Sequence, residues 1–275
     1  MPLPDSMLAA LAGLAVALSI VLSVWAASVP LRDASLVDRF WPWLIAAPAG
    51  VYLLLAPGGA GGAHPRAVCV LALVLAWALR LSLYLTWRNW GHGEDRRYRA
   101  MRAARGPAFA WQSLYTVFVL QAVVAWAVSA PLHAVAWGTR PWSAWDAAGL
   151  ALAVFGLVFS AVADAQLAQF RAGAPAPGAV MDRGLWRWSR HPNYFGEACL
   201  WWGLWLAAVG AGGWGAAWTA LSPLGMTWLL LRVSGVALLE PDLAARRPAY
   251  RDYMARTSAF VPWPPRTSPR TSPRT

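Results

Sequence analysis

The sequence predicts an all-α, polytopic membrane helix bundle of about seven transmembrane helices, with the N-terminus outside and the C-terminus inside. Three observations predict it: the composition, the blocks in which apolar residues fall, and the placement of the arginines. Of 275 residues, 59% are hydrophobic and 13% charged, against roughly 25% charged in a soluble domain. Met7–Val29 carries no ionisable side chain over 23 residues, more than the ~20 that span the hydrocarbon. No Lys or Arg precedes it and it is too long for a signal peptide.

Further blocks follow at Leu36–Ala56, Ala67–Trp87, Ala108–Ala130, Trp145–Ala163, Ala198–Val209 and Trp214–Ser234. Helices suit them, because backbone groups in lipid must be paired within the segment. Ala198–Val209 is short, and Gly210–Gly215 reads as a tight turn or as a break within a longer hairpin. All 23 basic residues are Arg. In the seven-span topology one side holds Arg32, Arg39, Arg88 to Arg105, Arg171 to Arg190 and Arg246 to Arg274. The other holds Arg66 and Arg140. That asymmetry places the Arg-rich side in the cytoplasm, and it accounts for the net charge of +11 without nucleic acid as a partner. Trp41, Trp43, Trp87, Trp90, Trp142 and Trp145 mark interfaces.

The long polar connections Arg88–Pro107, Asp164–Glu197 and Glu240–Pro265 all fall on the Arg-rich side, which makes that side the expected working face. Residues 1–264 read as a single membrane domain and 265–275, a Pro-Arg-Thr-Ser repeat with little to bury, as a disordered tail. Cys69 and Cys199 fall near opposite faces of the membrane, too far apart for a disulfide. His64, His92 and His133 are scattered and suggest no metal site.

The most informative stretch is Gly184-Leu-Trp-Arg-Trp-Ser-Arg-His-Pro-Asn-Tyr-Phe-Gly-Glu197. Pro192 disfavours helix at His191 but suits the first turn of a helix that follows. Free N–H groups there, with Arg187, Arg190 and His191 just before them, describe an anion site suited to phosphates. The plainer reading of the arginines is a juxtamembrane basic anchor. Arg80 stands about two turns from the end of its span, where a central charge costs at least ~2.5 kcal/mol. It either snorkels to the surface or lines a polar cavity with Asp38 or Glu197 as partner, and Tyr84 lies one turn on along the same face. Asp38 and Glu240 are candidate proton donors or ion-pair partners. Glu197 is placed to bind substrate or orient Arg190, or simply to compensate the helix dipole. Glu94-Asp95-Arg96-Arg97 reads as loop structure.

The Arg190-His-Pro-Asn-Tyr-x-Gly-Glu197 string, with Gly184-Leu-Trp before it, resembles the membrane-bound steroid 5-alpha-reductase-like family. It is similar also to sterol reductases and, more distantly, to isoprenylcysteine carboxyl methyltransferases. The likeness extends over Leu36-Val-Asp-Arg-Phe-Trp41, Arg80 to Tyr98, Asp164-Ala-Gln-Leu-Ala-Gln-Phe-Arg171, and Leu238-Leu-Glu240 through Tyr250, Tyr253 and Phe260-Val-Pro262. Its nearest branch is bacterial proteins of unassigned substrate. Asp182-Arg183 departs from the family pattern, which leads one to expect a small residue after the Asp.

The resemblance implies an NADPH site contacted by Asp164, Arg171, Arg190, His191, Asn193 and Tyr194, with Arg187 beside them. It implies reduction of a conjugated C=C bond in a lipophilic, steroid- or isoprenoid-like substrate drawn from the bilayer, in a bacterial inner membrane. Arg80, Tyr84, Asp38, Glu197 and Glu240 are the candidate catalytic residues. Two alternatives stand beside it: an S-adenosylmethionine-dependent membrane methyltransferase, and a non-enzymatic lipid-binding membrane protein. No inverted repeat supports transport.

Overall fold

The computed structural model describes residues 3–59, 64–233 and 236–266. It is all-helical, 80% helix with no strand among the described residues. Among the described residues four helices are long and apolar enough to cross a membrane: α1 (Asp5–Leu31), α4 (Pro65–Asn89), the composite helix Arg96–Val128, and α9 (Ala144–Ala172). They begin within a few residues of the apolar blocks, with one exception. The expected connection Arg88–Pro107 is largely helix. Asp95 caps α5 (Arg96–Arg105) by accepting from the Arg97 amide, and the chain runs on through α6 (Phe109–Ser113) and a π-helical turn, Leu114–Val119, into α7 (Leu120–Val128).

The other three expected blocks are less regular. Leu36–Ala56 is divided into α2 (Leu36–Phe40) and α3 (Trp43–Leu55), because Pro42 has no N–H to continue the ladder. Ala198–Val209 lies inside a longer helix, α10 (Pro192–Gly212). The Gly-rich stretch after it tightens into the 3₁₀ segment Gly213–Ala220, opening on Gly213 at φ 66°. Then come α11 (Leu221–Trp228) and a second π turn, Leu229–Val233. The last block ends at Ser234, outside the described residues, as do residues 267–275 of the tail.

The chain divides into two compact units, Met1–Leu150 with Leu204–Ser222, and Ala151–Gly203 with Pro223–Thr275. In the first, α1 buries Ala9, Gly13, Ala17, Val21, Val24 and Ser28, one narrow stripe of mostly small residues. Leu8, Leu11, Leu22 and Val29 of the same helix are exposed. Small side chains inside and large apolar ones outside is the arrangement of helices that associate within lipid. Gly13 leaves room for the ring of Tyr52, and the Tyr52 hydroxyl meets Ser129 Oγ at 2.8 Å.

One finding here is not read from the sequence. Arg66, which the charge pattern places on the Arg-poor side of the membrane, is fully buried against Asp146, also fully buried, at 3.3 Å. Arg66 donates to the Arg140 carbonyl. Asp146 also accepts from the Ser143 amide at 2.7 Å and hydroxyl at 2.8 Å, which satisfies the backbone N–H just before the first turn of α9. The pair ties the starts of α4 and α9 together.

In the second unit, α9 and α10 cross closely. A Cβ at Gly196 would lie 2.6 Å from the Ser160 amide nitrogen and 2.7 Å from the Gly156 carbonyl oxygen. Only glycine fits. Gly196→Ala is expected to lower stability by about 1–3 kcal/mol through overpacking, read as a fall in the midpoint of thermal unfolding in detergent. Gly225→Ala, at a helical position with nothing within 4 Å, serves as the control and is expected to be neutral or mildly stabilising.

Candidate functional site

The helix predicted after His191 starts at Pro192, and the residues before it are fixed by the far end of the chain. Ser189 and Ser258 form an isolated parallel bridge. The Arg190 amide donates to the Ser258 carbonyl at 2.8 Å, and the Trp263 amide to the Trp188 carbonyl at 2.9 Å. Ser189 Oγ donates to the Phe260 carbonyl at 2.7 Å. Tyr253, fully buried on α13 (Pro248–Arg256), donates its hydroxyl to the Trp186 carbonyl. The other side of the motif leans on α9. The Leu185 amide donates to Gln166 Oε1 at 2.9 Å, and Trp186 Nε1 to the Ala163 carbonyl at 3.0 Å. Gly184, at φ 58°, brings the backbone close enough that a Cβ would meet the Gln166 amide.

At the centre is Glu240 of α12 (Val236–Arg246), buried. Arg190 donates to it twice, from Nε at 2.7 Å and from Nη2 at 3.0 Å. Arg190 Nη1 donates to the carbonyls of Met254 and Thr257 at 2.9 and 2.6 Å. His191 Nε2 stands 3.0 Å from the same Glu240 oxygen. An ionised carboxylate only accepts, so Nε2 carries the proton. The imidazole stacks on Tyr194, with centroids 5.2 Å apart. Burial works to raise the Glu240 pKa. The hydrogen bonds from His191 and Arg190, and the Arg190 charge, outweigh it and hold the carboxyl below its ordinary range. Burial and then the Glu240 charge push Tyr250 up to about 12.

Sequence reasoning presents Arg190 as a fork for an external anion. The structure commits most of that guanidinium to Glu240 and two carbonyls, so Arg190 is a positioning residue. The carboxylate that orients it is Glu240, not Glu197. Arg171 and Arg187 are exposed, and Glu197 is buried on α10. Asn193 Nδ2 donates to Asp164 Oδ1 at 3.1 Å, and both residues belong to this unit. Asn193 Oδ1 is buried and accepts no hydrogen bond among the described residues. A buried acceptor left open costs on the order of 1–3 kcal/mol, which a ligand donor would recover.

The remaining candidates lie in the first unit. Asp38 accepts from Arg97 Nη2 at 2.9 Å and from the Tyr98 hydroxyl at 2.8 Å, and Gln121 Nε2 donates to that hydroxyl at 3.3 Å. Arg80 and Tyr84 are half-buried on α4, with the Arg88 guanidinium 5.9 Å from the Tyr84 ring centre. The loop acids are tethers: Glu94 accepts from the Ala34 amide and from Arg102, and Asp95 caps α5. Sequence reasoning missed Ser189, Gln166 and Tyr98 as partners. Among the described residues no group of three or more His, Cys, Asp or Glu could hold a metal ion, and Cys69 and Cys199 are free thiols.

Two expectations follow. Because the folded Glu240 pKa lies below its ordinary 4.5, its stabilising contribution is complete above that value and is lost as pH falls through the folded one. Thermal midpoints measured from neutral pH downward should decline on the acid side, and Glu240→Gln should flatten that decline; an identical acid limb in the variant would contradict the assignment. Arg190→Ala strands a buried carboxylate and is expected to cost about 3–5 kcal/mol. Limited proteolysis should then cut the C-terminal segment faster than in the wild type.

Comparison with known proteins adds the following. An uncharacterized protein of Schizosaccharomyces pombe (strain 972 / ATCC 24843) is 26% identical over 266 residues, covering 87% of this chain and 75% of its own length. No solved structure matches the chain. The family model described as "Protein of unknown function (DUF1295)" matches residues 24–257, most of the chain, and the protein belongs to that family.

Proposed function

We propose that the protein is a membrane-bound NADPH-dependent reductase that saturates a conjugated C=C bond in a lipophilic, steroid- or isoprenoid-like substrate. The observation that carries the reading is the Asp164–Asn193 pair. The Asn193 amide is oriented through its NH₂ group by Asp164, and its buried oxygen is left open, the acceptor that a nicotinamide carboxamide requires. The resemblance of Arg190–Glu197 and its surroundings to the steroid 5-alpha-reductase-like family supports the same reading. So does the dense packing of that string between α9 and the C-terminal segment, which a mere basic anchor would not need.

In this reading Asn193 and Asp164 hold the carboxamide end, and the exposed guanidiniums of Arg187 and Arg171 take the diphosphate. Arg190, Glu240 and His191 hold the loop that presents them. NADPH, when bound, supplies the hydride, while the protein supplies geometry and electrostatics. Glu240 is ionised and fully hydrogen-bonded, so it positions and does not donate a proton. Glu197, buried one turn into α10, is the carboxyl assigned to substrate. The reading includes seven spans, N-out and C-in, with the Arg-rich side and the cofactor in the cytoplasm and the substrate arriving from the bilayer of a bacterial plasma membrane. The arginine asymmetry supports that topology.

The test is a binding titration of the detergent-purified protein with NADPH and with S-adenosylmethionine, followed by NADPH oxidation with sterol-like and isoprenoid enones. NADPH is expected to bind and to be oxidised. Asn193→Ala should weaken it about tenfold, the worth of a buried hydrogen bond of ~1.4 kcal/mol. A Glu197→Gln protein that binds NADPH normally but does not oxidise it would identify Glu197 as the group that acts on the substrate. Binding of S-adenosylmethionine alone, or of neither ligand, would remove the reductase reading.

A further inference from the structure

Beyond the motif, the second unit has a surface cavity of about 410 Å³ at the C-terminal end of α9, within the range of small-ligand sites, roughly 300–1,000 Å³. Gln169 and Phe170 of α9 form one side, and Met181, Asp182 and Arg183 the other. Ala179, also in the lining, is held by Arg247, whose Nη1 donates to its carbonyl at 3.0 Å. Aromatic and apolar walls beside a side-chain amide suit a purine: a flat face to pack, and an edge that both donates and accepts.

The electrostatics of the cavity favour an anionic ligand. Asp182, the acid in its lining, is already neutralised by Arg256 at 2.6 Å. Arg183 is the guanidinium in the lining, is exposed, and has no ion pair among the described residues. A charged fork thus stands beside a cavity of nucleoside size.

The cavity adjoins the site described above along the chain. The chain leaves Arg183, turns through Gly184, and is pinned to α9 by Gln166 and Ala163 before it reaches Asn193, which holds Asp164 of the same helix. Asp164 and Gln169 stand on the same helix, about 7.5 Å apart along its axis.

We infer that this cavity takes the adenosine end of the dinucleotide and that Arg183 binds its 2′-phosphate, making the chain selective for NADPH over NADH. The inference rests on the reductase reading and adds a specificity-determining residue to it. A guanidinium–phosphate contact is charge-assisted, so its loss should cost NADPH about ten- to a hundredfold in affinity. NADH, which lacks that phosphate, should be barely affected.

The experiment is a titration of the full-length protein in detergent with NADPH, NADH and 2′,5′-ADP, comparing wild type with Arg183→Ala, Arg183→Lys and Gln169→Ala. Arg183→Ala should collapse the preference for NADPH over NADH, and Arg183→Lys should keep part of it. Gln169→Ala should weaken both cofactors alike. 2′,5′-ADP should compete with NADPH in the wild type, and inorganic phosphate or an anionic-lipid micelle at equal concentration should not. Unchanged thermal midpoints establish that the variants are folded, as an exposed position leads one to expect. A wild type that binds NADPH, with the same NADPH-to-NADH ratio in Arg183→Ala, overturns this inference and leaves the reductase reading standing. Competition by phosphate or lipid as strong as by 2′,5′-ADP also overturns it. A wild type that binds neither nucleotide removes both.

Discussion

The Arg190–Glu240 pair is the constraint on which the second unit depends. It joins positions fifty residues apart, and every other contact of the Gly184–Glu197 string is compatible with it. Arg190 faces inward because a buried carboxylate demands it and because the Met254 and Thr257 carbonyls complete its coordination. His191 turns its Nε2 to the same carboxylate and its face to Tyr194. With those two residues fixed, Pro192 can begin a helix in one orientation only, and Asn193 reaches Asp164 on α9. A buried ion pair is weak evidence of stability in itself, since desolvation offsets much of its attraction. Its value here is registry: it determines which part of the C-terminal segment lies against the motif.

The same physics governs the first unit with different residues. Arg66 and Asp146 are a fully buried pair between the starts of two long apolar helices, and α1 packs through a stripe of small residues while its leucines face outward. Neither feature suits a water-soluble core. Both suit helices whose surroundings are as apolar as their own side chains, where close backbone approach and polar contacts between helices supply the association that a hydrophobic effect cannot.

Much of this was legible in the sequence, for definite reasons. Long apolar blocks have a length scale set by the bilayer, so the helices α1, α4 and α9 follow from counting. Pro192 announces a helix start because its ring chemistry is local. The departures are also physical. Pro42 divides a block that hydropathy alone treats as continuous. Asp95 caps a helix where the density of arginine suggests a loop. Glu240 was read as an acid or an ion-pair partner, and its actual partners, Arg190 and His191, lie too far away in sequence for any spacing rule to identify. The charge pattern places Arg66 on the Arg-poor side, and nothing in its neighbourhood shows that Asp146, eighty residues on, covers it. Local chemistry can be read from local sequence; pairing across the chain needs the fold.

The functional account comes down to whether the open oxygen of Asn193 is there to receive a ligand. An experimental structure of the protein in lipid with bound NADPH measures this directly. The account predicts the carboxamide nitrogen within about 3.2 Å of Asn193 Oδ1, with Asp164 still holding the Asn193 NH₂ group and Arg190 still on Glu240. A dinucleotide bound elsewhere, or an Asn193 side chain turned to lipid with its neighbours, contradicts it.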